Sequence, residues 1–356
     1  MSQQKIALIL GATGGIGGEV AAVLYQRGWT IRALHRDPQA LAARNGAYEW
    51  VRGDAMQEAD VVGAAAGVSL IVHAVNPPGY RNWGQLVLPM LNNTIRAARA
   101  SGARIVLPGT VYNYGPDTWP EIFEHSAQHP TTRKGGIRVE MEARLRAASR
   151  DGVRSLIVRA GDFFGPQAAN NWFSQGLIKP GQPVTHVTYP GKRGVGHQWA
   201  YLPDVAETMV RLVEQESRLE RFALFHMEGH WDADGTQMVG AIQRIATEGR
   251  VSIDASEPSV ATGARATNAT KAPTVRAFPW WLVMLASPFV PLFREMREMR
   301  YLWRVPVRMH NAHLVRTLGA EPHTPIDDAV RATLKGLGCV EQRDIAPQPD
   351  AARFAH

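Results

Sequence analysis

The chain of 356 residues contains a single cysteine, Cys339. One thiol cannot form an internal disulfide or a cysteine-rich zinc site, so no oxidising compartment is required and the cytoplasm is the expected location. The sequence also lacks the His-Glu-x-x-His motif of zinc hydrolases, and no metal site is expected. We therefore do not expect a protein that depends on disulfides or on a metal ion.

Long basic blocks and long apolar runs are also missing. Lys and Arg number 39 against 32 Asp and Glu, a net charge of +7, but these residues are scattered. A scattered surplus favours a small anionic ligand or a basic surface over nucleic acid. The longest apolar run, 278–293, is shorter than the ~20 residues of a spanning helix and contains three prolines. We expect neither a nucleic-acid partner nor an integral membrane segment.

What is present is an alternation of strands and helices over the first 160 residues. The spacing of apolar residues predicts strands at 5–10, 29–35, 48–51, 69–75, 104–107 and 155–159. It predicts helices at 19–27, 59–66, up to about 100, 136–149 and 203–216. This order predicts an α/β fold, a Rossmann-type doubly wound parallel sheet with ligands at the carboxyl ends of its strands.

Beyond residue 165 the alternation fades, which predicts a smaller C-terminal substrate-binding cap. We assign 1–165 to the Rossmann core, with 196–220 returning to it. Residues 166–195 and 221–345 are assigned to the substrate-binding region. The Ala-, Ser- and Thr-rich segment 252–273 is predicted to be a flexible loop, and 346–356 a loosely held tail.

A glycine-rich turn follows the first strand and opens the first helix. Gly11 permits a tight turn, Gly14 allows a pyrophosphate to approach the backbone, and Gly17 allows close packing of helix and strand. The helix N-terminus then offers free N–H groups to the phosphates. The sequence therefore predicts a dinucleotide site in which the cofactor contacts Gly11, Thr13, Gly14, Gly15, Ile16 and Gly17.

The end of the second strand bears on the choice of dinucleotide. An NAD-selective site places an acidic residue there, on the ribose 2′-OH, whereas this strand ends in His35 and Arg36. An arginine can make a forked contact with a 2′-phosphate, so we expect NADP(H) in preference to NAD(H). Arg36 is the first candidate, and His35 and Arg32 are secondary ones; a solvated loop arginine is the alternative.

Several motifs together resemble the extended short-chain dehydrogenase/reductase superfamily, and more narrowly its NAD-dependent epimerase/dehydratase family. They are the glycine turn and the segments 51–54, 114–115, 159–166 and 197–206, so the resemblance covers roughly residues 5–215. It implies that Asp54 contacts the adenine, that Ala74 and Val75 lie along the cofactor, and that the backbone near Gly161 closes over the nicotinamide.

The resemblance also implies a hydroxyl on the fifth strand and a Tyr-x-x-x-Lys pair on the next helix. Thr110 fits the hydroxyl position, but Lys134 and Arg138 stand where the tyrosine and lysine are expected. With this departure the helix is similar to that of the isoflavone-reductase-like branch, in which a lysine occupies the acid/base position. We expect Lys134 as proton donor and Arg138 as cofactor anchor, with Tyr112 open as another donor. The alternative for Lys134 is a surface residue ahead of the helix.

Other features support two interpretations each. Four tryptophans, at 172, 280, 281 and 303, either line an apolar pocket or pack in the core. Isolated histidines at 186, 197, 226 and 230 either touch a ligand or are structural. The arginines at 294, 297, 300 and 304 either form a basic face for an anionic ligand or surface, or pair with Glu295 and Glu298.

Three functions remain open. The first is an oxidoreductase that uses NADPH to reduce a carbonyl or conjugated alkene of a small-molecule substrate. The second is a nucleotide-sugar epimerase or dehydratase. The third is a non-catalytic NADP(H) sensor, because the usual tyrosine is missing. A homodimer is considered by analogy with the superfamily.

Overall fold

The structure, a computed structural model, describes residues 5–77, 83–167, 171–254 and 271–340. Its strands are β1 (Ile6–Leu10), β2 (Thr30–His35), β3 (Glu49–Arg52), β4 (Leu70–His73), β5 (Arg104–Thr110), β6 (Glu121–Ile122), β7 (Arg154–Ala160), β8 (Asp162–Phe164), β9 (His186–Tyr189), β10 (His197–Tyr201), β11 (Phe222–His226), β12 (His230–Asp232), β13 (Thr274–Ala277) and β14 (Arg308–Met309). The helices described are α1 (Gly15–Gln26), α2 (Gln39–Arg44), α3 (Glu58–Ala64), α4 (Trp83–Ser101), α5 (Arg133–Arg150), α6 (Leu202–Glu214), α7 (Gln237–Asp254), α8 (Trp280–Ala286), α9 (Pro291–Glu298), α10 (Ala312–Leu318) and α11 (Ile326–Gly336).

The central element is a seven-stranded sheet in the order β11-β7-β5-β4-β1-β2-β3, and every pair in it is parallel. Its central strands β1 and β4 are almost continuously apolar, as expected for a sheet that helices cover on both faces. Helices α1 and α6 pack on one face, and α3, α4 and α5 on the other. The predicted Rossmann-type α/β fold is confirmed.

The strand order reverses between β1 and β4. From β1 the chain runs outward through β2 and β3, then crosses to β4 on the other side of β1. In doubly wound sheets the crevice at such a reversal is where ligands bind. Because the strands are parallel, the residues that follow β1, β2, β4, β5 and β7 all lie at one edge of the sheet.

The remaining elements form a smaller second layer. Strands β12, β10 and β8 make a three-stranded sheet, β13 pairs with β9, and β14 pairs with β6. One hydrophobic core joins β8, β9 and β10 with α7 and α11, whereas Ile122 of β6 and Met309 of β14 pack in a separate, smaller cluster. Among the described residues, no helix is both long enough and apolar enough to cross a bilayer.

Two predicted boundaries differ from the structure. Strand β11 lies in the large sheet, although its residues were assigned to the substrate-binding region; its apolar side chains complete the sheet beside β7. Helix α7 extends to Asp254, into the segment 252–273 that was predicted to be a loop. Residues 255–270 of that segment, and the tail 346–356, lie outside the described residues.

Candidate active site

The glycine turn has the close packing that its residues predict. Gly11 has a φ of 96°, and a Cβ on it would lie 2.6 Å from the carbonyl oxygen of Ala74. A Cβ on Gly17 would lie 2.2 Å from the carbonyl oxygen of Gly11. Neither position has room for a side chain, so the turn brings the start of α1 directly against β1 and the end of β4. Ala74 and Val75 thus lie beside the turn.

The start of α1 is suited to an anion. Thr13 and Gly14 are exposed, and Gly14 precedes the helix without a side-chain cap. The first turn contains no acidic residue, and the first helical hydrogen bond runs from Gly18 N to Gly14 O at 2.8 Å. The N–H groups of Gly15, Ile16 and Gly17 precede that bond and remain available. This helix end therefore fits the phosphates of a dinucleotide.

At the end of β2, the structure separates the three basic candidates. Arg36 is exposed just after the strand. Arg32 instead contacts Glu49 at 3.0 Å and donates to the carbonyl oxygens of Ala64 and Ala66. Its guanidinium therefore stabilises the fold. His35 accepts from the backbone N–H of Asp37 at 3.0 Å.

A further arginine, which was not among the predicted site residues, lies at this place. Arg52 is exposed and is the register partner of His35 on the neighbouring strand β3. Only the strand register could have revealed it. Two arginines therefore lie near the position that a ribose would occupy.

Two residues assigned through the resemblance occupy turns at the same edge. Asp54 follows β3, and its Oδ1 accepts from the backbone N–H of Met56 at 2.9 Å. Gly161 separates β7 from β8, and a Cβ there would lie 2.2 Å from the carbonyl oxygen of Gln198. The glycine thus allows β10 to approach the end of the large sheet.

A cavity opens next to this edge. It is lined by Tyr112, Lys134, Asp162, Phe163, Asn171, Trp172, Gln175, Gly176, Leu292, Glu295, Met296 and Met299. The cavity volume open to the centres of water molecules is about 110 Å³. This is room for several waters or a small molecule. Its wall combines apolar and aromatic groups with a few polar ones, the usual character of a small-molecule site.

Lys134 is buried in this cavity wall. Helix α5 begins at Arg133, because the Thr132 side chain accepts from the N–H of Gly135 at 3.0 Å and caps it. The alternative that Lys134 precedes the helix on the surface is therefore wrong. Its Nζ forms an ion pair with Oε2 of Glu295 on α9, at 3.0 Å.

Tyr112 lies in the same wall. It sits in the short 3-10 turn 111–113 after β5, and its backbone N–H donates to the Thr110 side chain at 3.4 Å. A Cβ on Gly135 would lie 2.3 Å from the Tyr112 carbonyl oxygen. This glycine lets the first turn of α5 pack against the 3-10 turn, so Lys134 and Tyr112 border one cavity. Thr110 caps the turn and is not part of the cavity wall described above.

Behind Tyr112 lies a buried carboxylate–imidazole pair. The Tyr112 hydroxyl donates to Oδ1 of Asp162 at 3.4 Å, and Oδ2 of Asp162 lies 3.0 Å from Nε2 of His197. Nδ1 of His197 lies 3.1 Å from the carbonyl oxygen of Leu302. A carbonyl oxygen only accepts, so Nδ1 carries the hydrogen of that bond. The ring stacks on Trp303 at 3.9 Å between centroids.

Arg138 lies one turn further along α5, outside the cavity wall. Its guanidinium donates to the carbonyl oxygen of Pro108 at 3.2 Å and lies 5.2 Å from the centre of the Trp83 ring. It is also close enough to contribute to the lowered pKa of His73, whose largest cause is burial. Arg138 is therefore held beside the ends of β4 and β5, on the side where a cofactor would run.

Tyr114 has a structural environment instead. Its hydroxyl lies 2.7 Å from Nε2 of buried His226 and contacts Arg159, which forms a buried ion pair with Glu142. Burial raises the pKa of Tyr114 and lowers the pKa of His226. This network holds the ends of β5, β7 and β11 together beneath the site.

The other aromatic and histidine candidates divide between packing and the cavity. Trp172 lines the cavity, Trp303 is buried in the second core, and Trp281 is exposed. His226 and His230 are four residues apart, yet they point to different partners, Tyr114 and His323. Within the part of the chain that the structure describes, no three His, Cys, Asp or Glu side chains converge as metal ligands.

Comparison with known proteins accords with this geometry. Residues 11–173 match a family model described as NAD(P)H-binding. This part of the chain is therefore similar to NAD(P)H-binding domains. The short-chain dehydrogenase/reductase ABA4 of Pyricularia oryzae is 26% identical over 202 residues, 49% of this chain and 75% of that protein. The resemblance to the short-chain dehydrogenase/reductase superfamily is thereby confirmed.

Solved structures share the fold over nearly the whole chain. UDP-glucose 4-epimerase of Thermotoga maritima, solved with UDP-glucose, has a TM-score of 0.66 at 12% identity, over 93% of this chain and 98% of that one. UDP-glucuronic acid 4-epimerase of Bacillus cereus, solved with NAD, has a TM-score of 0.64 at 14% identity, over 93% and 96%. At these identities the likeness shows the fold, and the reaction must be argued from this chain's own site.

Proposed function

We propose that the protein is an NADP(H)-dependent reductase of a carbonyl or conjugated alkene in a small, largely apolar molecule. The observation that carries this proposal is that a phenol and an ammonium, Tyr112 and Lys134, border one aromatic-lined cavity at the carboxyl edge of the dinucleotide-binding sheet. When bound there, the reduced nicotinamide supplies the hydride.

The two groups divide the work on the substrate oxygen. Lys134, charged and paired with Glu295, stabilises negative charge on that oxygen as it develops. Tyr112 donates the proton that completes the alcohol. The sequence favoured Lys134 as the proton donor, whereas its ion pair with the partly buried Glu295 carboxylate favours an electrostatic role.

The Asp162–His197 pair holds Tyr112 in place. Asp162 accepts the phenol hydrogen bond on one oxygen, and its other oxygen lies 3.0 Å from Nε2 of His197. The pair thereby orients the Tyr112 hydroxyl at the cavity wall, and a proton from water that enters the cavity replaces the one that Tyr112 gives up. Thr110 orders the turn that carries Tyr112, and Arg138 anchors the cofactor beside β4 and β5.

Two substitutions test this division of roles on a substrate found in a panel of aldehydes, enones and quinones. Tyr112→Phe removes the proton donor, so the rate of NADPH oxidation at 340 nm should fall about 10²–10⁴-fold while NADPH affinity is unchanged. Lys134→Met should lower the rate by a similar factor, because the charge that stabilises the substrate oxygen is lost.

The matched control is Phe123→Tyr, at an exposed aromatic residue outside the cavity wall, and it should leave the rate unchanged. If Lys134→Met reduces the substrate as fast as the wild type, the active-site assignment is wrong. If Tyr112→Phe is fully active and Lys134→Met alone is inactive, the proton comes from Lys134.

The preference for NADP(H) rests on Arg36, with Arg52 beside it. The exposed guanidinium of Arg36 follows β2, where a 2′-phosphate would lie. Arg36→Gln should weaken NADPH binding about tenfold, since one charge-assisted contact is lost, and leave NADH binding unchanged. Arg150→Gln, at the far end of α5, is the control. Equal loss for both cofactors, or no loss, contradicts the preference.

A nucleotide-sugar epimerase is the second candidate, because solved epimerases share the fold at TM-scores of 0.64 and 0.66. An epimerase retains its cofactor through the cycle and needs none added. Cofactor that co-purifies with the protein and turnover of a UDP-sugar without added NADP(H) would favour it. Complete release of cofactor on gel filtration, with NADPH consumed stoichiometrically, favours the reductase. NADP(H) binding with no turnover on either panel would leave the sensor hypothesis.

A further inference from the structure

One short segment carries most of the exposed large apolar side chains. Of the eleven such residues in the described chain, seven lie within residues 281–292, which form α8, the turn after it and the start of α9. Trp281 is 71% exposed, Leu285 68% and Phe289 85%. We call residues 281–292 the apolar hairpin. An exposed apolar surface of this density marks an interaction site.

The charges beside the apolar hairpin are almost all positive. Residues 271–304 contain six basic residues and two acidic ones. Both acidic residues turn inward: Glu295 contacts Arg133 and Lys134, and Glu298 accepts from the backbone N–H of Lys134 at 2.8 Å. The predicted pairing of these acids with the neighbouring arginines is therefore wrong, and Arg294, Arg297 and Arg304 are exposed.

We propose that the apolar hairpin docks the protein onto an anionic phospholipid bilayer. A tryptophan, a phenylalanine and leucines flanked by arginines have the composition of segments that lie in the membrane interface. The helices of seven and eight residues are too short to cross the bilayer, so the hairpin enters only the outer part of one leaflet. The arginines contact lipid phosphates at its border.

The charge pattern favours a bilayer over a second copy of this chain. In a symmetric dimer through the hairpin, the exposed arginines of both copies would face one another. Glu295 and Glu298 could not neutralise them, because both contact residues of α5. Lipid phosphates supply the opposite charge instead. The same surface therefore attracts anionic lipid and repels its own copy.

Helix α9 connects the hairpin to the cavity. Leu292, Glu295 and Met296 line the cavity from this helix, whereas Phe289, just before the helix, is the most exposed apolar residue of the hairpin. Docking would therefore place one wall of the cavity at the membrane surface. The proposal does not depend on the reaction that the cavity performs.

The test is flotation of the purified full-length protein with vesicles. We expect binding to vesicles of phosphatidylcholine mixed with phosphatidylglycerol, and little binding to phosphatidylcholine alone. Raising NaCl from about 0.05 to 0.5 M should weaken binding severalfold. The double substitution Leu285→Ser with Phe289→Ser should lower the partition coefficient at least about tenfold. Arg294→Gln with Arg304→Gln should abolish the preference for anionic lipid.

The control is Tyr25→Ser, at an aromatic residue that is 49% exposed on α1, far along the chain from the hairpin. It should bind vesicles like the wild type, and thermal melting should show that all variants fold. Wild-type protein that floats with neither vesicle, or a double variant that floats as well as the wild type, overturns the proposal. A second result would also overturn it: sedimentation velocity in which the wild type is a dimer and only the Leu285→Ser, Phe289→Ser variant is a monomer. The hairpin would then be a contact between copies.

Discussion

At the scale of single residues, buried histidines with a lowered pKa set how stability responds to acid: His226 is one, and His73 and His230 are two more. His73 ends β4 and is fully buried, with Nδ1 2.8 Å from the hydroxyl of Thr94, which itself donates to the carbonyl oxygen of Met90. Nδ1 is therefore the donor, and the ring is neutral. Burial, and then Arg138, lower the pKa of His73 to about 3. Burial, and then His323, lower the pKa of His230 to about 4.

These shifts predict a loss of stability in mild acid. The unfolded chain takes up a proton on each histidine below its ordinary pKa of 6.5, whereas the folded chain resists until about pH 3 for His73. The free energy of unfolding should therefore fall as pH falls from about 6.5 toward 3, by up to about 1.4 kcal/mol per pH unit for each histidine. Urea unfolding at a series of pH values measures this slope.

His73→Asn separates this effect from general acid denaturation. The asparagine amide can replace Nδ1 as donor to Thr94 but does not titrate. Between pH 6 and pH 5, the free energy of unfolding of the variant should change less steeply with pH than that of the wild type. The difference in slope should correspond to about one bound proton. Identical slopes for the two proteins would show that His73 does not resist protonation in the folded state.

Single residues also show where sequence reasoning stops. The positions of Lys134 and Tyr112 follow from motif spacing along one strand and one helix. Their partners do not: Glu295 lies 161 residues after Lys134, and His197 lies 35 residues after Asp162. No local pattern encodes such pairs, because they depend on how the second layer folds over the sheet.

At the scale of elements, the first turn of α5 determines the shape of the site. The sequence placed the start of this helix near Gly136, since a glycine pair weakens a helix. The structure begins it at Arg133, because Thr132 caps it and Gly135 is needed for a contact. A Cβ on Gly135 would meet the carbonyl oxygen of Tyr112, whereas one on Gly136 would meet nothing within 4 Å.

The two adjacent glycines therefore give a matched pair of substitutions. Alanine favours a helix at either position. Gly136→Ala should raise the free energy of unfolding by about 0.5–1 kcal/mol and leave activity unchanged. Gly135→Ala should lower it by about 1–3 kcal/mol, because the first turn must move away from Tyr112, and NADPH oxidation should fall with it. Urea unfolding and the 340 nm assay measure both.

The same sign of change at both glycines would contradict the packing of α5 on the 3-10 turn 111–113.

The start of α1 differs in a similar way: the sequence placed it at Glu19, whereas the helix begins at Gly15. In both cases glycine serves a close approach that lies outside the helix itself. Helical propensity alone therefore predicts a start that is too late.

At the scale of the whole molecule, a buried ion pair ties the large sheet to its covering helix. Nε of Arg159 on β7 donates to Glu142 on α5 at 2.9 Å, and the same guanidinium contacts Tyr114 and His226. The network joins three neighbouring strands just below the carboxyl edge. Disturbing it should weaken the entire domain, since all of these groups are buried.

Glu142→Gln leaves the Arg159 charge buried without its counter-ion. We expect the free energy of unfolding to fall by about 3–5 kcal/mol in chemical denaturation. The control is Glu58→Gln, which breaks an exposed pair with Arg96 and should cost less than about 1 kcal/mol. A similar small cost for both would mean that the Arg159 pair does not support the fold.

The sequence predicted six of the seven strands of the large sheet, because most of them have a local apolar run bounded by turns, and it missed β11. The second layer was predicted only in outline. Its strands are short, as in β6 with two residues and β8 with three, and they pair across long separations in the chain. The cavity depends on that layer, so its wall could not be predicted from the sequence.

A crystal structure with bound NADPH tests the central claim most directly. We predict the pyrophosphate on the first turn of α1, the 2′-phosphate within hydrogen-bond reach of Arg36, and the nicotinamide C4 facing the cavity. Tyr112 Oη and Lys134 Nζ should both lie within about 5 Å of one point that is about 3–3.5 Å from C4. A nicotinamide directed away from the cavity, or a cofactor bound elsewhere than at the glycine turn, would contradict the account.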